Sequence, residues 1–294
     1  MRVRTVLVFI VLGSCLAACG GATHPSSTLG VVAAENVYGN IAAQIGGPDV
    51  SVTSILTNPN ADPHLFQPGT ATGLAVAQAR VVIENGLDYD AFMTKLENAS
   101  PSKSRLVVTM ADVLGIHGKD ANPHLWYDVP RLDRIAGAIA GALSQADPAH
   151  AAAYRKGAVR FIASLQSLRR EVASIRGRFG GDFVAYTEPV PGYLITAAGL
   201  RNLAPASFTR PIEEGTEPAP AAVAAMDALV AHHRIRVLLY NSQAVSPITA
   251  NLRAAAKGAG IPIVPVSETL PPGLTFQRWQ LAQARALAAA LGRR

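Results

Sequence analysis

The hydrophobic pattern of the chain alternates short apolar runs with longer segments of helical period. In the first half, the apolar runs predict strands at residues 30–34, 50–56, 81–84 and 106–110. In the second half, they predict strands at residues 183–186, 237–240 and 261–266. Helical segments fall between or after them, at residues 35–45, 71–79, 219–232, 247–257 and 276–291. Strands that alternate with helices indicate parallel sheets with crossover connections.

The middle of the chain predicts one long helix. Asp147-Pro148 is a good helix start, because a capping side chain is followed by proline in the first turn. Apolar residues then recur at a helical period until Gly180-Gly181. About 30 residues extend ~45 Å at the usual rise, a length that suits a spine between two lobes. We therefore predict an α/β fold with two α/β lobes of mainly parallel sheet, residues 28–146 and 181–294, joined by a spine helix over residues 147–180.

The first 27 residues predict export and anchoring. Arg2 and Arg4 precede an apolar stretch over residues 5–12 that is too short to span a bilayer with ordinary flanks. Leu-Ala-Ala-Cys at residues 16–19 then resembles the lipobox of bacterial lipoproteins. The resemblance implies a signal peptide over residues 1–18, diacylglycerol on the Cys19 thiol and a flexible tether over residues 19–27. The competing interpretation is an ordinary signal peptide that ends near a cysteine by chance.

Composition narrows the class of protein. Of 294 residues, 49% are hydrophobic and 16% are charged, which argues against a disordered chain. The only two cysteines are Cys15 and Cys19, so the mature domain offers no thiol as a ligand or a nucleophile. The net charge is +6, and the basic residues look scattered along the sequence. This distribution predicts a solvated surface near anionic lipid rather than nucleic-acid binding.

One short sequence occurs twice and carries the candidate chemistry. Ala-Asp-Pro-His-Leu-Phe at residues 61–66 recurs as Ala-Asn-Pro-His-Leu-Trp at residues 121–126. Proline fixes its own φ and restricts the preceding residue, so each motif presents its histidine, His64 or His124, from a stiff turn. The separation of 60 residues fits about two strand–helix–strand units, which places both histidines at one sheet edge. A lone loop histidine is usually a surface residue, whereas two in matching frames favour a metal site.

Carboxylates are the available partners of these imidazoles, because no cysteine remains. Glu188 follows the first predicted strand of the second lobe, and Glu268 follows its last. Both are therefore expected at carboxyl ends of strands, in the cleft between the lobes. Two neutral imidazoles and two carboxylates neutralise a divalent cation. The mixed nitrogen and oxygen set suits zinc, manganese or iron(II) rather than magnesium or calcium.

Four stretches carry a resemblance to a known family: NADPHLFQP at residues 60–68, NPHLWYD at 122–128, YTEPVPGYLITAAGL at 186–200 and SETLPPGLTFQRW at 267–279. With the lipobox and the long helix, they make the chain resemble the ZnuA/TroA/PsaA-type metal-binding lipoproteins. These are the cluster A-I solute-binding proteins of zinc and manganese ABC importers. The resemblance implies a monomer anchored to the outer face of the cytoplasmic membrane. It would carry one divalent ion to an importer permease, either zinc or manganese, with iron as the alternative.

The family's metal ligands map onto this chain residue by residue. His64 and His124 lie where the family has its first two histidine ligands. Glu188 lies at the third position, which is histidine in many zinc members and glutamate in many manganese members. At the fourth position many members have an aspartate a few residues further on, whereas residues 273–276 here contain no acid. Glu268 is the nearest candidate for the fourth ligand.

Other polar residues have simpler interpretations. His117 is expected to be a solvated loop residue, with an auxiliary metal-capturing role as the alternative. Asp128 is expected to cap the next helix or to orient His124. Solvated helix ends and turns account for five further residues, His232, His233, Glu213, Glu214 and Glu217.

Three classes of function are compatible with such a site. A transport receptor needs no catalysis, and four ligands from two lobes would close its site. A metal-dependent hydrolase would keep an open position for water and a general base, and the sequence has no HExxH run, nucleophile elbow or phosphate loop. A binder of a small organic solute or metal chelate would line the cleft with aromatic and arginine side chains. We therefore predict a receptor rather than an enzyme.

Overall fold

The computed structural model describes residues 28–60 and 62–293, so the predicted signal peptide and tether, with Cys19, lie outside the described residues. Within them, the strands form two four-stranded sheets. The first sheet contains β1 (Leu29–Glu35), β2 (Val50–Leu56), β3 (Val81–Glu84) and β4 (Leu106–Thr109). The second contains β5 (Phe183–Tyr186), β6 (Arg201–Asn202), β7 (Val237–Asn241) and β8 (Ile263–Val266). Every pairing is parallel, which confirms the predicted α/β class.

The two sheets share one topology. Their strand orders are β2-β1-β3-β4 and β6-β5-β7-β8. The direction in which successive strands are added therefore reverses between β1 and β3 in the first sheet and between β5 and β7 in the second. In open parallel sheets, ligands bind beyond the carboxyl ends of strands at such a reversal. The fold therefore offers two facing crevices, one after β1 and β3 and one after β5 and β7.

Helices cover both sheets. In the first lobe they are α1 (Asn36–Gly46), α2 (Thr70–Gln78), α3 (Phe92–Ala99), α4 (Met110–Leu114) and α5 (Leu132–Ala146). The spine contains α6 (Ala151–Ser164) and α7 (Gln166–Phe179). In the second lobe they are α8 (Gly192–Ala197), α9 (Ala206–Glu213), α10 (Pro220–Ala231), α11 (Pro247–Gly258) and α12 (Phe276–Leu291). None of the helices in the described ranges is both long and apolar enough to cross a bilayer.

The spine is one long helix with a bend at Leu165. At this residue φ is −77° and ψ is −7°, so the backbone departs from α-helical ψ for one position. The Leu165 side chain is fully buried in the main hydrophobic core, which contains residues of both lobes. The predicted long helix is therefore confirmed, and its bend lies at a buried residue of the core.

Candidate metal centre

The two Pro–His motifs fold alike. The side chain of Asp62 accepts a hydrogen bond from the backbone N–H of His64 at 2.9 Å, within the 3-10 turn Pro63–Leu65. The side chain of Asn122 accepts the equivalent bond from the N–H of His124 at 3.0 Å. Because carboxylate and amide both offer an acceptor oxygen, the change from Asp to Asn leaves this contact intact. Both histidines thus project from backbone turns that are held by the same kind of hydrogen bond, from the histidine N–H to the side chain two residues earlier.

Both histidines converge on one carboxylate of the other lobe. His124 Nε2 lies 3.2 Å from Glu268 Oε2, and His64 Nε2 lies 3.5 Å from the same oxygen. One donor atom from each of the three residues lies within 4.8 Å of the other two, which is a spacing that can hold a metal ion. The side chains of His124 and Glu268 are fully buried, and that of His64 is 17% exposed. The sequence-predicted residues His64, His124 and Glu268 are therefore brought together across the cleft.

Glu188 lies beside this group but not in it. The amide nitrogen of Asn241 donates to Glu188 Oε2 and, at 2.7 Å, to Glu268 Oε1, so one amide joins the two carboxylates. The other oxygen, Glu188 Oε1, is buried and has no hydrogen-bond partner among the described residues. A buried carboxylate oxygen without a donor is costly unless it binds a cation or a proton. Its position next to Glu268 leaves Glu188 available as a further donor.

Hydrogen bonds hold the carboxylate of Glu268 at both ends. Tyr89 donates its hydroxyl to Oε2 at 2.9 Å, and Asn241 donates to Oε1. The backbone N–H of Glu268 donates to Gln243 Oε1 at 2.6 Å, so the main chain is also fixed. Since Oε1 is held by Asn241 and Oε2 faces both imidazoles, Oε2 is the oxygen placed to bind a cation.

A strained loop presents Tyr89. Leu87 and Asp88 have φ of 58° and 62°, in the left-handed region that residues with a side chain rarely adopt. The carboxylate of Asp90 accepts two backbone N–H bonds within this loop, at 2.6 and 2.9 Å. Backbone strain of this kind costs about 1–3 kcal/mol per residue and tends to cluster at functional sites. The loop is held in this conformation at the point where it delivers the hydroxyl to Glu268.

Asn122 determines which nitrogen of His124 faces Glu268. The Asn122 amide nitrogen donates to the carbonyl of Pro189 at 2.7 Å, so its oxygen must be the atom that lies 2.8 Å from His124 Nδ1. An amide oxygen only accepts, so Nδ1 carries a hydrogen and the other nitrogen, Nε2, is the one available for a metal. Asp128 instead pairs with Arg131. The proposed orientation of His124 by Asp128 is therefore wrong.

Glu213 is a residue of the site that the sequence analysis assigned to the surface. It ends α9, its side chain is 15% exposed, and Oε1 lies 3.8 Å from His124 Nδ1. The predicted solvated turn is thus wrong for Glu213, because α9 turns its last residue into the cleft. Glu214 and Glu217 are exposed, as expected. His117 is also exposed and lies 3.8 Å from Asp112, away from the group of donors.

The electrostatics of the group favour an imidazolium–carboxylate arrangement. Burial alone would lower the pKa of His64, but the hydrogen bond to Glu268 and its charge raise that pKa to about 9. Burial alone would raise the pKa of Glu268, but hydrogen bonds and charge from His124 and His64 hold it well below its usual range. Burial and the charge of Glu268 raise the pKa of Glu188 well above its ordinary value. A cation at this site would replace protons on these donors.

Three contributors at the site, Tyr89, Asn241 and Glu213, were not predicted. Asn241 is the last residue of β7, and Tyr89 follows β3 within a short loop. A search of all polar residues just after strands could have found these two, since they lie at the same sheet edges as Glu188 and Glu268. Glu213 does not follow a strand, so this search would have missed it. It ends α9, and the nearby acids Glu214 and Glu217 are exposed.

Comparison with known proteins identifies the family. The family model described as "ZnuA: Zinc-uptake complex component A periplasmic" matches residues 31–290. Manganese-binding lipoprotein MntA of Bacillus subtilis (strain 168) is 31% identical over 157 residues, which cover 50% of this chain and 51% of MntA. Metal ABC transporter substrate-binding lipoprotein ScbA of Streptococcus cristatus is 28% identical over 181 residues, which cover 58% of each chain. The chain thus matches between half and three-fifths of the length of these relatives.

Solved structures share the fold. The periplasmic zinc-binding protein TroA from Treponema pallidum superposes with a TM-score of 0.76 at 19% identity, over 91% of this chain and 100% of TroA. At this identity the likeness establishes the fold alone. The match of the family model over most of the sequence establishes more, and it agrees with the resemblance of the four motifs: the chain belongs to the ZnuA family.

Proposed function

We propose that this protein is an extracytoplasmic receptor that captures one divalent transition-metal ion in its cleft and delivers it to an ABC importer. The observation that carries the proposal is the convergence of His64 Nε2 and His124 Nε2 on Glu268 Oε2, at 3.5 and 3.2 Å. Two imidazoles and a carboxylate within 4.8 Å of one another form a mixed nitrogen and oxygen donor set. Zinc, manganese and iron(II) accept such a set. A hydrolase, the alternative from the sequence, has no support in the family to which the chain belongs.

Glu188 is the proposed fourth ligand. Its unpartnered oxygen is buried next to Glu268, and the charges of Glu268 and His64 both act on it. With Glu188 bound, two nitrogen and two oxygen donors would surround the ion and leave no position for a reactive water. This closed set suits storage during transport rather than catalysis. The oxygen of Glu188 favours a harder ion than a third imidazole would, which supports manganese alongside zinc.

The lipid anchor and the permease complete the proposal. Cys19 would carry the lipid, and the tether over residues 19–27 would hold the domain at the outer face of the cytoplasmic membrane. The family relatives MntA and ScbA are named as lipoproteins, and ScbA as a substrate-binding component of a metal ABC transporter. These names support a permease partner for this chain, which would act as a monomer.

Competitive titration of zinc and manganese tests the proposed site. We expect His64→Ala and His124→Ala each to lower the affinity for both metals by two orders of magnitude or more, because each removes a donor from a set of about four. The control is His232→Ala, since His232 is an exposed histidine at the end of α10. Binding of one ion per chain with unchanged affinity in both variants would disprove the site.

A further inference from the structure

Positive charge is concentrated in three helices. The ranges 151–179 and 276–293, which contain α6, α7 and α12, hold ten Lys and Arg residues and one acid, Glu171. The rest of the chain holds 16 Lys and Arg residues and 19 Asp and Glu residues. The net charge of +6 therefore arises from these helices, while the remainder is slightly negative. The sequence-based expectation of scattered basic residues is wrong, because it ignored which helices lie together.

The helices α7 and α12 run side by side in the same direction. Two contacts join them in register, Arg285 Nε to Glu171 Oε2 at 4.0 Å and Arg178 Nη2 to the Cβ position of Gly292 at 4.0 Å. At the start of α12, Gln277 Nε2 donates to Oγ of Ser164, the last residue of α6, at 2.9 Å. The exposed arginines of α7 and α12 thus lie on adjoining helices, and α6, which packs on α1 and α5 of the first lobe, carries further exposed arginines. We call this surface the spine face and define it by six exposed residues, Arg155, Arg160, Arg170, Arg178, Arg278 and Arg285.

Few acids neutralise the spine face. Arg285 lies at the 4.0 Å limit of an ion pair with Glu171, and the other five arginines have no acidic group within that distance among the described residues. Arg178 instead stacks on the ring of Phe179 at 4.7 Å. Guanidinium groups that are exposed and unpaired are well suited to bind phosphate, which they contact with two parallel N–H groups.

The chain enters the domain beside the spine face. Leu29, the first residue of β1, pairs with Val50, and the Val50 side chain lies 2.4 Å from the Cβ position of Gly46 at the end of α1. The carbonyl oxygen of Ile45 lies 2.0 Å from the Cβ position of Gly157 in α6. The start of β1 and the helix α6 are therefore at the same end of the molecule. The metal centre lies at the opposite end of β1, beyond the carboxyl ends of the strands.

We propose that, while the receptor is not engaged with its permease, the spine face rests on anionic phospholipid headgroups of the bilayer that carries the anchor, with the cleft directed away from that bilayer. This inference rests on the proposed anchor at Cys19. A tether of nine residues reaches at most ~30 Å and on average ~17 Å, so it keeps α6 near the headgroups. Each arginine contributes weakly at a charged surface, and several on one face act together. Exposed charge is screened within about 8 Å at physiological salt, so the contact is sensitive to salt.

The test measures the distance of α7 from the bilayer in the processed, lipidated protein. Because Cys15 leaves with the signal peptide and the Cys19 thiol is acylated, Ala173→Cys introduces a single reactive thiol on the exposed side of α7. A fluorophore at this thiol reports energy transfer to an acceptor in the headgroups. We expect more transfer in vesicles that contain phosphatidylglycerol than in pure phosphatidylcholine, and loss of this increase at high salt.

Charge variants make the test specific. Arg160→Gln, Arg170→Gln and Arg278→Gln, combined, should abolish the increase. The control combines Lys95→Gln, Lys103→Gln and Lys119→Gln, which removes the same charge from exposed positions of the first lobe and should retain it. Equal transfer in both kinds of vesicle, or equal loss in both triple variants, would overturn the proposal. An increase that occurs only when the importer permease is in the vesicle would overturn it too, because the partner would then be a protein.

Flotation separates this proposal from the anchor on which it rests. A lipidated protein floats with neutral vesicles whether or not the spine face contacts them. Failure to float would overturn the anchor and the orientation together. Flotation without an effect of phosphatidylglycerol would overturn the orientation alone. Metal titration of the same samples reports the cleft independently of both.

Discussion

The imidazole of His64 lies 3.5 Å from Glu268 Oε2, and its pKa is raised to about 9. Below this pH the metal-free protein carries a proton on His64, and a metal ion must displace that proton to bind. The apparent affinity should therefore fall about tenfold for each pH unit below 9 from this proton alone, and become independent of it above 9. Burial and the charge of Glu268 also raise the pKa of Glu188, which shifts the pH dependence of binding in the same direction.

Calorimetry in buffers of different ionisation enthalpy counts the protons released on binding. At pH 7 we expect the wild-type protein to release about one proton more than His64→Ala releases, because His64 is protonated before binding. Equal proton release in the two proteins would contradict the protonated state of His64. The comparison does not depend on the absolute affinity of either protein.

Glu188 should control the preference between metals. Glu188→His replaces an oxygen donor with a nitrogen donor, which favours zinc over manganese. We expect the ratio of zinc affinity to manganese affinity to rise in this variant, and Glu188→Ala to weaken both metals. A map of anomalous scattering with bound metal would show the donors directly. If Glu188 does not contact the ion in that map, its assignment as a ligand is wrong.

The two histidines could be predicted because a repeated motif made them stand out from the other five histidines of the chain. Their hydrogen-bonding partners could not be predicted in the same way. Asn241 acts by joining two carboxylates, and Tyr89 acts through a loop with left-handed backbone that no residue type at positions 87 and 88 announces. Such roles depend on which strands become neighbours, and local sequence does not contain that information.

At the scale of elements, the approach of α1 to α6 depends on one glycine. The Cβ position of Gly157 lies 2.0 Å from the carbonyl oxygen of Ile45, so no side chain fits there without moving a helix. Gly177, in the same spine, has no heavy atom within 4 Å of its Cβ position among the described residues. The two glycines therefore give opposite predictions for the same substitution.

Gly157→Ala should lower the free energy of unfolding by roughly 1–3 kcal/mol, the usual cost of overpacking. Gly177→Ala should raise it by about 0.5–1 kcal/mol, because alanine is the better helix former and meets no obstacle. Denaturant unfolding of both variants, with the wild type alongside, measures the two changes. Destabilisation by both would show that the spine does not tolerate any added methyl group, and the explanation by close approach would fail.

Among the described residues, every strand except β6 and seven of the twelve helices were predicted from the hydrophobic pattern. The helices α3, α4 and α5 were missed, and so was the segment from α8 to α9. β6 has two residues and α8 has six, which is too short for a period to be visible. α9 contains Pro211, a residue that argues against a helix interior. Glu213 was consequently assigned to a solvated turn. The error in one short helix thus became an error in the site.

At the scale of the whole molecule, a metal ion should stabilise the fold by joining the lobes. A ligand that binds only the native state adds about 2.7 kcal/mol at a free concentration one hundred times its Kd. For a chain of this size, that corresponds to a rise in Tm of roughly 5–10 °C. Thermal unfolding at a series of zinc concentrations should show a rise that grows with the logarithm of free zinc. Glu268→Gln should remove most of it, and an undiminished rise in that variant would exclude binding at the cleft.

The histidines belong to the first lobe, and the carboxylates Glu188, Glu213 and Glu268 belong to the second. If these residues bind the ion as proposed, each lobe alone is an incomplete chelator, with nitrogen donors in the first lobe and oxygen donors in the second. An importer would not need to unfold a loop or protonate a buried acid to take the cargo. A contact that separates the lobes by an ångström or two would lengthen the distances from the ion to the donors of one lobe beyond metal–ligand bond lengths. The single four-donor site would then become two weaker half-sites.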